Sequence, residues 1–194
     1  MAVRDDRLDA YLLIDHVEPG KPIRQVLDDI FDHNPGTVRF VARFAGPYVG
    51  FVAYQTDGLA QVHDLTSDAF WVDGARCETL IVVKPSRAAI PKRRSPDHCA
   101  MVRAASDEPD GLLDRLDDRF GPRLEEQLGL PEEYQTFGYG AAVVNGAFDL
   151  LIEVGSPTLE GTKDLVREVR SIPGMGRTST AFAFLPGNAR KRSL

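Results

Sequence analysis

The 194-residue sequence is poor in cysteine, tryptophan and methionine, with two, one and three of them respectively. The cysteines, Cys77 and Cys99, belong to no CxxC motif, and no histidine follows either of them at zinc-ligand spacing. These absences argue against a disulfide scaffold and a structural metal site. We therefore expect two small buried thiols in a reducing compartment.

Long apolar runs and an excess of positive charge are also missing. No run approaches the roughly 18 apolar residues of a membrane-spanning helix, and residues 1–9 are charged, unlike a secretory signal. The formal net charge is −6 and the pI about 5.2, so no overall positive field attracts nucleic acid. The sequence predicts a cytoplasmic protein with no membrane partner.

Catalytic and cofactor motifs are likewise absent. There is no G-x-S-x-G, P-loop or Rossmann fingerprint, since the glycines of residues 138–140 lack the rest of that motif. The four histidines show no metal-ligand spacing: His16, His33, His63 and His98. His16 and His98 occupy similar places in two predicted strands and could titrate or bind a metal together. Ordinary strand histidines are the favoured interpretation, and we predict no catalytic residue, metal or cofactor.

The order of the predicted elements is β-α-β-β-α-β, and it occurs twice. In the first copy, alternating and helical apolar periodicity places the elements at residues 10–17 (strand), 22–31 (helix), 37–45 and 48–55 (strands), 59–70 (helix) and 77–84 (strand). Asp57 is the expected cap of the second helix and Gly74 its end. Gly46-Pro47 marks the hairpin.

The second copy begins at residue 98 and repeats this order. Its first helix carries Leu112, Leu113, Leu116 and Phe120, and Gly121-Pro122 should break or kink it. Asn145-Gly146 predicts a type I′ turn, because both central residues of that turn need positive φ. Ser156-Pro157 predicts the start of the second helix, Pro173-Gly174 its end, and residues 178–185 the last strand.

These patterns give the domain organisation. We predict a first repeat at residues 9–85, a linker at 86–97, a second repeat at 98–187 and a basic tail at 188–194. The two hairpins align, with residues 46–49 (GPYV) opposite residues 146–149 (GAFD), so that Val49 stands where the second copy has Asp149. The basic clusters at 92–94 and 190–192 could contact phosphates, but solvated linker and tail are the favoured interpretation.

The second copy resembles the effector-binding domain of the Lrp/AsnC transcription factors. The resemblance rests on residues 146–149 (GAFD), 170–175 (RSIPGM) and 177–180 (RTST). The family typically has a G-x-[YF]-D turn, an I-P-G-V helix end and a threonine-rich final strand in this order.

The resemblance implies an α+β fold of two ferredoxin-like βαββαβ repeats. Each repeat packs its helices on one face of its sheet and leaves the other face to be covered. In the family, two subunits place these faces together. Here two repeats of one chain would pack sheet to sheet as an intramolecular dimeric α/β barrel. An ACT-like module with side-by-side pairing is the rival fold.

The resemblance also implies a function. The family carries a helix-turn-helix of roughly 60 residues before this domain, whereas about nine residues precede the first strand here. We therefore expect a non-catalytic sensing or regulatory module that binds a small effector such as an amino acid. It would not bind specific nucleic acid alone, and its protein partners would be full-length regulators of the family and further copies of itself. The alternative is an enzyme of the dimeric α/β barrel type, oxygenase-like or haem-dependent. Mostly aliphatic barrel-facing positions favour the regulatory interpretation.

By resemblance, the hairpin turn and the last strand form the ligand cleft. The implied ligand-binding residues are Gly146, Phe148, Asp149, Gly174, Arg177, Thr178 and Thr180. A guanidinium beside threonine hydroxyls suits a carboxylate. Two structural alternatives stay open, since Asp149 can serve only to hold its turn and Arg177 can be an exposed charge at the start of a strand.

Overall fold

The computed structural model describes residues 8–16, 22–34, 37–70, 76–88, 98–131, 136–184 and 189–191. The chain divides into two compact units. The first consists of residues 1–44, 48–82 and 188–194, and the second of residues 45–47 and 83–187. Each unit contains the predicted β-α-β-β-α-β order of elements.

The sheet of the first unit is antiparallel and has the strand order β4-β1-β3-β2-β9. Its elements are β1 (Leu8–His16), α1 (Ile23–His33), β2 (Val38–Arg43), β3 (Gly50–Thr56), α2 (Leu59–Phe70), β4 (Arg76–Pro85) and β9 (Ala189–Lys191). The helix α1 buries Val26, Leu27 and Phe31 on the helical spacing that the sequence shows. These side chains share a core with Leu12 and Val52 of the sheet.

The C-terminal residues differ from the predicted basic tail. Residues 189–191 form β9, which pairs antiparallel with β2 through Phe40, Val41 and Ala42. The short segment satisfies backbone groups at the edge of β2, which would otherwise be open to pairing with other chains. Residue 192 and the basic cluster at 92–94 lie outside the described residues.

The sheet of the second unit has the order β8-β5-β7-β6 and is also antiparallel. Its elements are β5 (His98–Ala104), α3 (Pro109–Leu128), β6 (Gly138–Asn145), β7 (Leu150–Ser156), α4 (Leu159–Arg170) and β8 (Thr178–Phe184). One sheet face packs on α3 and α4 in a core that includes Val102, Leu116, Phe120, Ile152 and Val169. We call this the helix face of the sheet and the opposite one the second face.

The second face of this sheet is buried as well. It carries Cys99 and Met101 of β5, Leu151 of β7 and Ala181 of β8, each at most 4% exposed. The consecutive apolar residues Leu150, Leu151 and Ile152 of β7 are accordingly all buried, as is typical of a strand covered on both sides.

Helix α3 is continuous where the sequence predicts a break. It spans 20 residues with Pro122 inside it. Phe120 and Leu124, on either side of the proline, are 0% and 5% exposed. Their burial stabilises both halves of the helix, which outweighs the one backbone hydrogen bond that proline cannot form.

Two local predictions are also corrected. The second hairpin has no type I′ turn, because Gly46 and Gly174 are the only described residues with positive φ. Its loop runs over residues 146–149 and is long enough to turn without that conformation. The cap of α4 is Thr158, whose hydroxyl accepts from the Gly161 N–H, and not Ser156.

The two repeats share backbone hydrogen bonds at matching places, as a duplication predicts. In the first repeat Val49 N donates to Ile14 O and Phe44 N to Val49 O; in the second, Asp149 N donates to Ala104 O and Val144 N to Asp149 O. Their distances lie between 2.7 and 3.0 Å. This pattern makes Val49 the counterpart of Asp149 and Ile14 the counterpart of Ala104.

Among the described residues, no helix combines the length and the apolar character needed to cross a membrane.

Candidate functional site

Three of the predicted ligand-binding residues lie where three segments of the second unit meet. These segments are the end of β5, the loop at 146–149 and the residues before β8. Asp149 N donates to Ala104 O at 3.0 Å, and Ala105 N donates to Arg177 O at 2.9 Å. The backbone of β5 is thus bonded to both neighbours, which fixes the positions from which Phe148, Asp149 and Arg177 project.

Two guanidinium groups lie over the ring of Phe148. The central carbons of Arg103 and Arg177 are each 4.9 Å from its centroid. A cation over an aromatic face is attracted by the ring quadrupole, and the attraction grows when water is excluded. The Phe148 ring is 9% exposed and Arg103 is 7% exposed, whereas Arg177 is exposed. The ring therefore holds one buried and one accessible cation near each other.

Arg103 is the residue that sequence reasoning missed. It lies on the second face of β5, where its register partner on β8 is Ser179, and its Nη2 donates to the Ser179 hydroxyl at 3.3 Å. A signal was present, because its neighbours on that face, Cys99 and Met101, are apolar and the strand places a charge in line with them. We call Arg103, Phe148, Arg177 and Ser179 the arginine–phenylalanine site.

Asp149 serves the backbone of this site. Its Oδ2 accepts from the Ser106 N–H at 2.9 Å, which fastens the loop to the segment after β5. This contact matches the structural alternative for Asp149, in which the carboxylate holds a turn.

The other predicted residues lie apart from the site. Thr178 and Thr180 pair with Ala104 and Val102 and so share the helix face with them. The Thr180 hydroxyl accepts from Arg170 Nη2 at 2.9 Å. Gly174 ends the turn after α4, and Gly146 is exposed in the hairpin loop. The structure does not bring these four residues together with Arg177.

The first repeat has no equivalent of the site. Its residues at the positions of Arg103, Phe148 and Asp149 are Leu13, Tyr48 and Val49, of which Leu13 and Tyr48 are 0% exposed. The second face of its sheet is aromatic, with Tyr11 and Phe51 stacked at 5.4 Å between ring centroids and Phe40 and Phe44 beside Phe51. The second face therefore carries aromatic side chains in the first repeat, and in the second repeat the charged Arg103 and Glu153 beside apolar side chains.

A buried carboxylate, Asp117 of α3, is the second polar cluster of this unit. Its Oδ1 accepts from the Ser86 and Tyr139 hydroxyls at 2.5 and 2.8 Å, and its Oδ2 from Arg87 N at 2.8 Å. Arg87 Nε lies 3.7 Å away. Because protein groups occupy both oxygens, this carboxylate fastens the segment after β4 to α3 and is not open to a ligand.

The Tyr139 hydroxyl is held in its neutral, donating form. Burial raises its pKa, and the hydrogen bond to Asp117 and the negative charge of that carboxylate act in the same direction. Tyr139 is 1% exposed. The cluster therefore combines the Asp117 carboxylate, as acceptor, with buried donors that point at it.

A cavity of about 450 Å³ lies between α3 and α4. Its lining consists of Arg115, Asp118, Arg119, Glu168, Ser171, Ile172 and Pro173. Glu168 forms an ion pair with Arg119 at 2.6 Å and approaches Arg123 at 3.8 Å, and Arg115 Nε donates to Pro173 O at 2.9 Å. Arg119 and Glu168 are thus already paired across the two helices, and Arg115 is bonded to the backbone after α4.

The cavity between α3 and α4 does not fit a haem. The cavity between α3 and α4 offers no histidine, cysteine, methionine or tyrosine as an axial ligand, and buried apolar side chains fill the space between helices and sheet. His33 and His63 are exposed, and His33 is bonded to Asp29 O. Burial, followed by the charge of Asp15, raises the pKa of the Cys77 thiol to about 11, which disfavours a thiolate ligand. The described part also has no group of three metal-ligating side chains.

The fold is similar to that of solved enzyme structures along nearly the whole chain. A cyanide complex of a tryptophan variant of chlorite dismutase from Candidatus Nitrospira defluvii matches with a TM-score of 0.55 and 11% identity, covering 95% of this chain and 92% of that one. The imidazole complex of the same enzyme matches at 0.54 and 12%, covering 95% and 93%. A protein of Lactobacillus acidophilus NCFM, provisionally designated a monooxygenase, matches at 0.55 and 3%, covering 91% and 92%.

No family model and no curated protein matches the sequence. The fold is therefore assigned from the structural likeness, and at these identities the likeness concerns the fold alone. It confirms the fold class predicted from the sequence. The chain has an α+β fold of two ferredoxin-like βαββαβ repeats, as in dimeric α/β barrel proteins.

Proposed function

We infer that the protein is an enzyme, and the regulatory function predicted from the sequence is wrong. The solved structures that share this fold over more than nine-tenths of the chain bear the names of a chlorite dismutase and a monooxygenase, which are enzyme names. The resemblance of three short segments to Lrp/AsnC effector domains, and the effector and regulator partners it implied, stay sequence predictions.

We propose that the chain is an enzyme on the dimeric α/β barrel fold with oxygenase-like chemistry. The observation that carries the proposal is the likeness to enzymes along 95% and 91% of the chain. Function does not follow from fold alone. The arginine–phenylalanine site adds local support, since a partly buried pair of cations is the kind of electrostatic feature that concentrates at functional sites.

The oxygenase-like form of the alternative is preferred to the haem-dependent form. The reason is the misfit described above, in which the cavity between α3 and α4 lacks an axial ligand and the helix faces are filled. In the oxygenase-like form, the substrate itself supplies the electrons that reduce dioxygen. An electron-rich substrate that loses two electrons and two protons to dioxygen gains one oxygen atom, and the second oxygen atom leaves as water.

The contribution of the protein to such a reaction is electrostatic. Positive charge in a partly buried place lowers the pKa of a nearby hydroxyl group of a substrate, and the anion formed is a better electron donor than the neutral molecule. Arg103 and Arg177 supply such charge at Phe148.

Oxygen uptake tests the proposal. The full-length protein is mixed in an oxygen electrode with a panel of hydroquinones, enols and phenols, and the heat-denatured protein serves as the control. We expect uptake with at least one member of the panel, with one oxygen molecule consumed for each molecule of oxygenated product.

Haemin separates the two enzyme alternatives. The same protein is incubated with haemin, and its absorption spectrum and its release of oxygen from chlorite are recorded. A stoichiometric haem complex that releases oxygen would replace the oxygenase-like proposal by the haem-dependent one. No turnover in either experiment would contradict an enzymatic function.

A further inference from the structure

We propose that the arginine–phenylalanine site binds the carboxylate, or a similar planar oxyanion, of a small organic molecule, once per chain. The inference rests on the proposed function in one respect, because the molecule bound would be the substrate. Its evidence is separate and consists of charge, burial and the comparison of the two repeats.

The first step is the concentration of positive charge. Because each guanidinium carbon lies 4.9 Å from the centroid of Phe148, the two carbons are at most twice that distance apart. Two like charges at such a distance repel each other, and the repulsion is stronger where water is excluded. In the described part of the chain, the Arg177 side chain contacts the Phe148 ring and forms no ion pair with a carboxylate. An anion near both groups would offset the repulsion.

The second step is that the fold does not require this charge. At the matching position the first repeat has Leu13, which is 0% exposed, on a backbone with the same hydrogen bonds. Burying a guanidinium costs more than burying a leucine, even when the guanidinium is hydrogen-bonded. The second repeat therefore carries a charged residue at a buried position that the shared architecture can fill with leucine, which is typical of a functional position.

The third step is the geometry of the ligand. A guanidinium presents a planar fork of donors that matches the two oxygens of a carboxylate. The Ser179 hydroxyl, which accepts from Arg103 Nη2 at 3.3 Å, keeps that fork in place. Phe148 holds both cations through its face, so a small ligand with an apolar body can contact the ring edge while its oxyanion meets the guanidinium groups.

Two acidic residues, Asp149 and Glu153, belong to the same part of the second unit. The Asp149 Oδ2 already accepts from Ser106 N. Glu153 is the acidic residue of β7 on the same face as Arg103, and its register partner on β5 is Met101, two residues away from Arg103. Neither carboxylate pairs with Arg177 in the described part of the chain, so the exposed guanidinium of that residue stays available to an anion.

Calorimetric titration of the full-length protein with benzoate, at low ionic strength, tests the proposal. Benzamide, which has the same shape and no charge, is the matched ligand. We expect benzoate to bind with one site per chain and benzamide to bind at least about tenfold more weakly, because a charge-assisted hydrogen bond contributes roughly 1.5–3 kcal/mol.

Three variants locate the site. Arg103→Leu installs the residue of the first repeat, and Arg177→Ala removes the exposed cation; each should weaken benzoate binding about tenfold to a hundredfold. Arg170→Ala is the control, because Arg170 is an exposed arginine of the same unit that contacts Thr180 and not Phe148. It should leave the affinity unchanged. Circular dichroism verifies that each variant is folded, and partial rescue by Arg177→Lys would show that charge matters.

The outcomes separate this inference from the proposed function. Equal affinity for benzoate and benzamide, or unchanged affinity in folded Arg103→Leu and Arg177→Ala proteins, would contradict the site while oxygen uptake by the wild type still stood. Site-dependent binding without turnover of any substrate would confirm the site and contradict the enzymatic function.

Discussion

Arg103 and Leu13 occupy the same position in the two repeats, and one is a cation where the other is a hydrocarbon. Each residue precedes the strand residue whose carbonyl accepts the matching hairpin hydrogen bond, Ala104 in one case and Ile14 in the other. Both are buried, at 7% and 0% exposure. The two repeats thus share the backbone hydrogen bonds at this position and differ in the side chain. A leucine is sufficient for the fold, so the arginine points to a requirement other than folding.

The stability of Arg103→Leu follows from this relationship. We expect the substitution to raise the free energy of unfolding by about 1 kcal/mol or to leave it unchanged, because a well-packed apolar residue often replaces a buried charge without loss. Urea unfolding followed by circular dichroism measures the effect. Leu13→Arg is the converse change and should destabilise the protein by several kcal/mol. A loss of more than about 2 kcal/mol in Arg103→Leu would show that Arg103 has a structural role.

The buried carboxylate of Asp117 should be sensitive to loss of its charge. In Asp117→Asn one oxygen becomes a donor that faces the Ser86 and Tyr139 hydroxyls or the Arg87 N–H, so one donor loses its acceptor. We expect a loss of about 2–4 kcal/mol in urea unfolding. The neighbouring Asp118→Asn is the control, because its side chain is 75% exposed and forms only a surface ion pair with Arg87. Equal effects of the two substitutions would contradict a buried network.

The raised pKa of Tyr139 predicts a loss of stability in alkali. The folded protein keeps the hydroxyl protonated above pH 10.0, the ordinary value for tyrosine, whereas the unfolded chain releases the proton there. Below that pH the neutral Tyr139 hydroxyl contributes its full stabilisation. Above it, the free energy of unfolding declines by about 1.4 kcal/mol for each further pH unit. Urea unfolding between pH 8 and 11 measures the decline. The Cys77 thiol, whose pKa is raised to about 11, contributes to the loss of stability equally in both proteins. The difference between wild type and Tyr139→Phe therefore isolates the contribution of the tyrosine. Parallel pH profiles would contradict the prediction.

Gly174 should resist substitution because of its backbone conformation. Its φ is +88°, and a Cβ at this residue would lie 2.6 Å from Arg115 Nη2. Gly174→Ala therefore combines backbone strain with displacement of Arg115, and we expect a loss of about 1–2 kcal/mol. Gly58→Ala is the control, because no atom lies within 4 Å of its Cβ position and its φ is not positive. If both substitutions cost the same in thermal unfolding, the strain at Gly174 is negligible.

The spacing of apolar residues was sufficient to predict the strands and helices of the two repeats and their order. Strands and helices of both copies appear where the apolar spacing predicts them, because burial of one face stabilises each element locally and needs no knowledge of its partner. The same reasoning failed at Pro122 and at the turn of residues 146–149. There, packing of Phe120 and Leu124 and the length of the loop outweigh the local preference of single residues.

The site divides in the same way. The sequence by itself determined that residues 146–149 and Arg177 belong to segments that a βαββαβ repeat brings together, since hairpin and last strand flank the first strand in that topology. Only the tertiary structure decided that Arg103 joins them over Phe148, while Gly174, Thr178 and Thr180 lie elsewhere. The physical reason is that strand register sets the face on which a side chain projects. Arg103 meets Ser179, whereas Thr178 and Thr180, one residue to either side of Ser179, project to the opposite face.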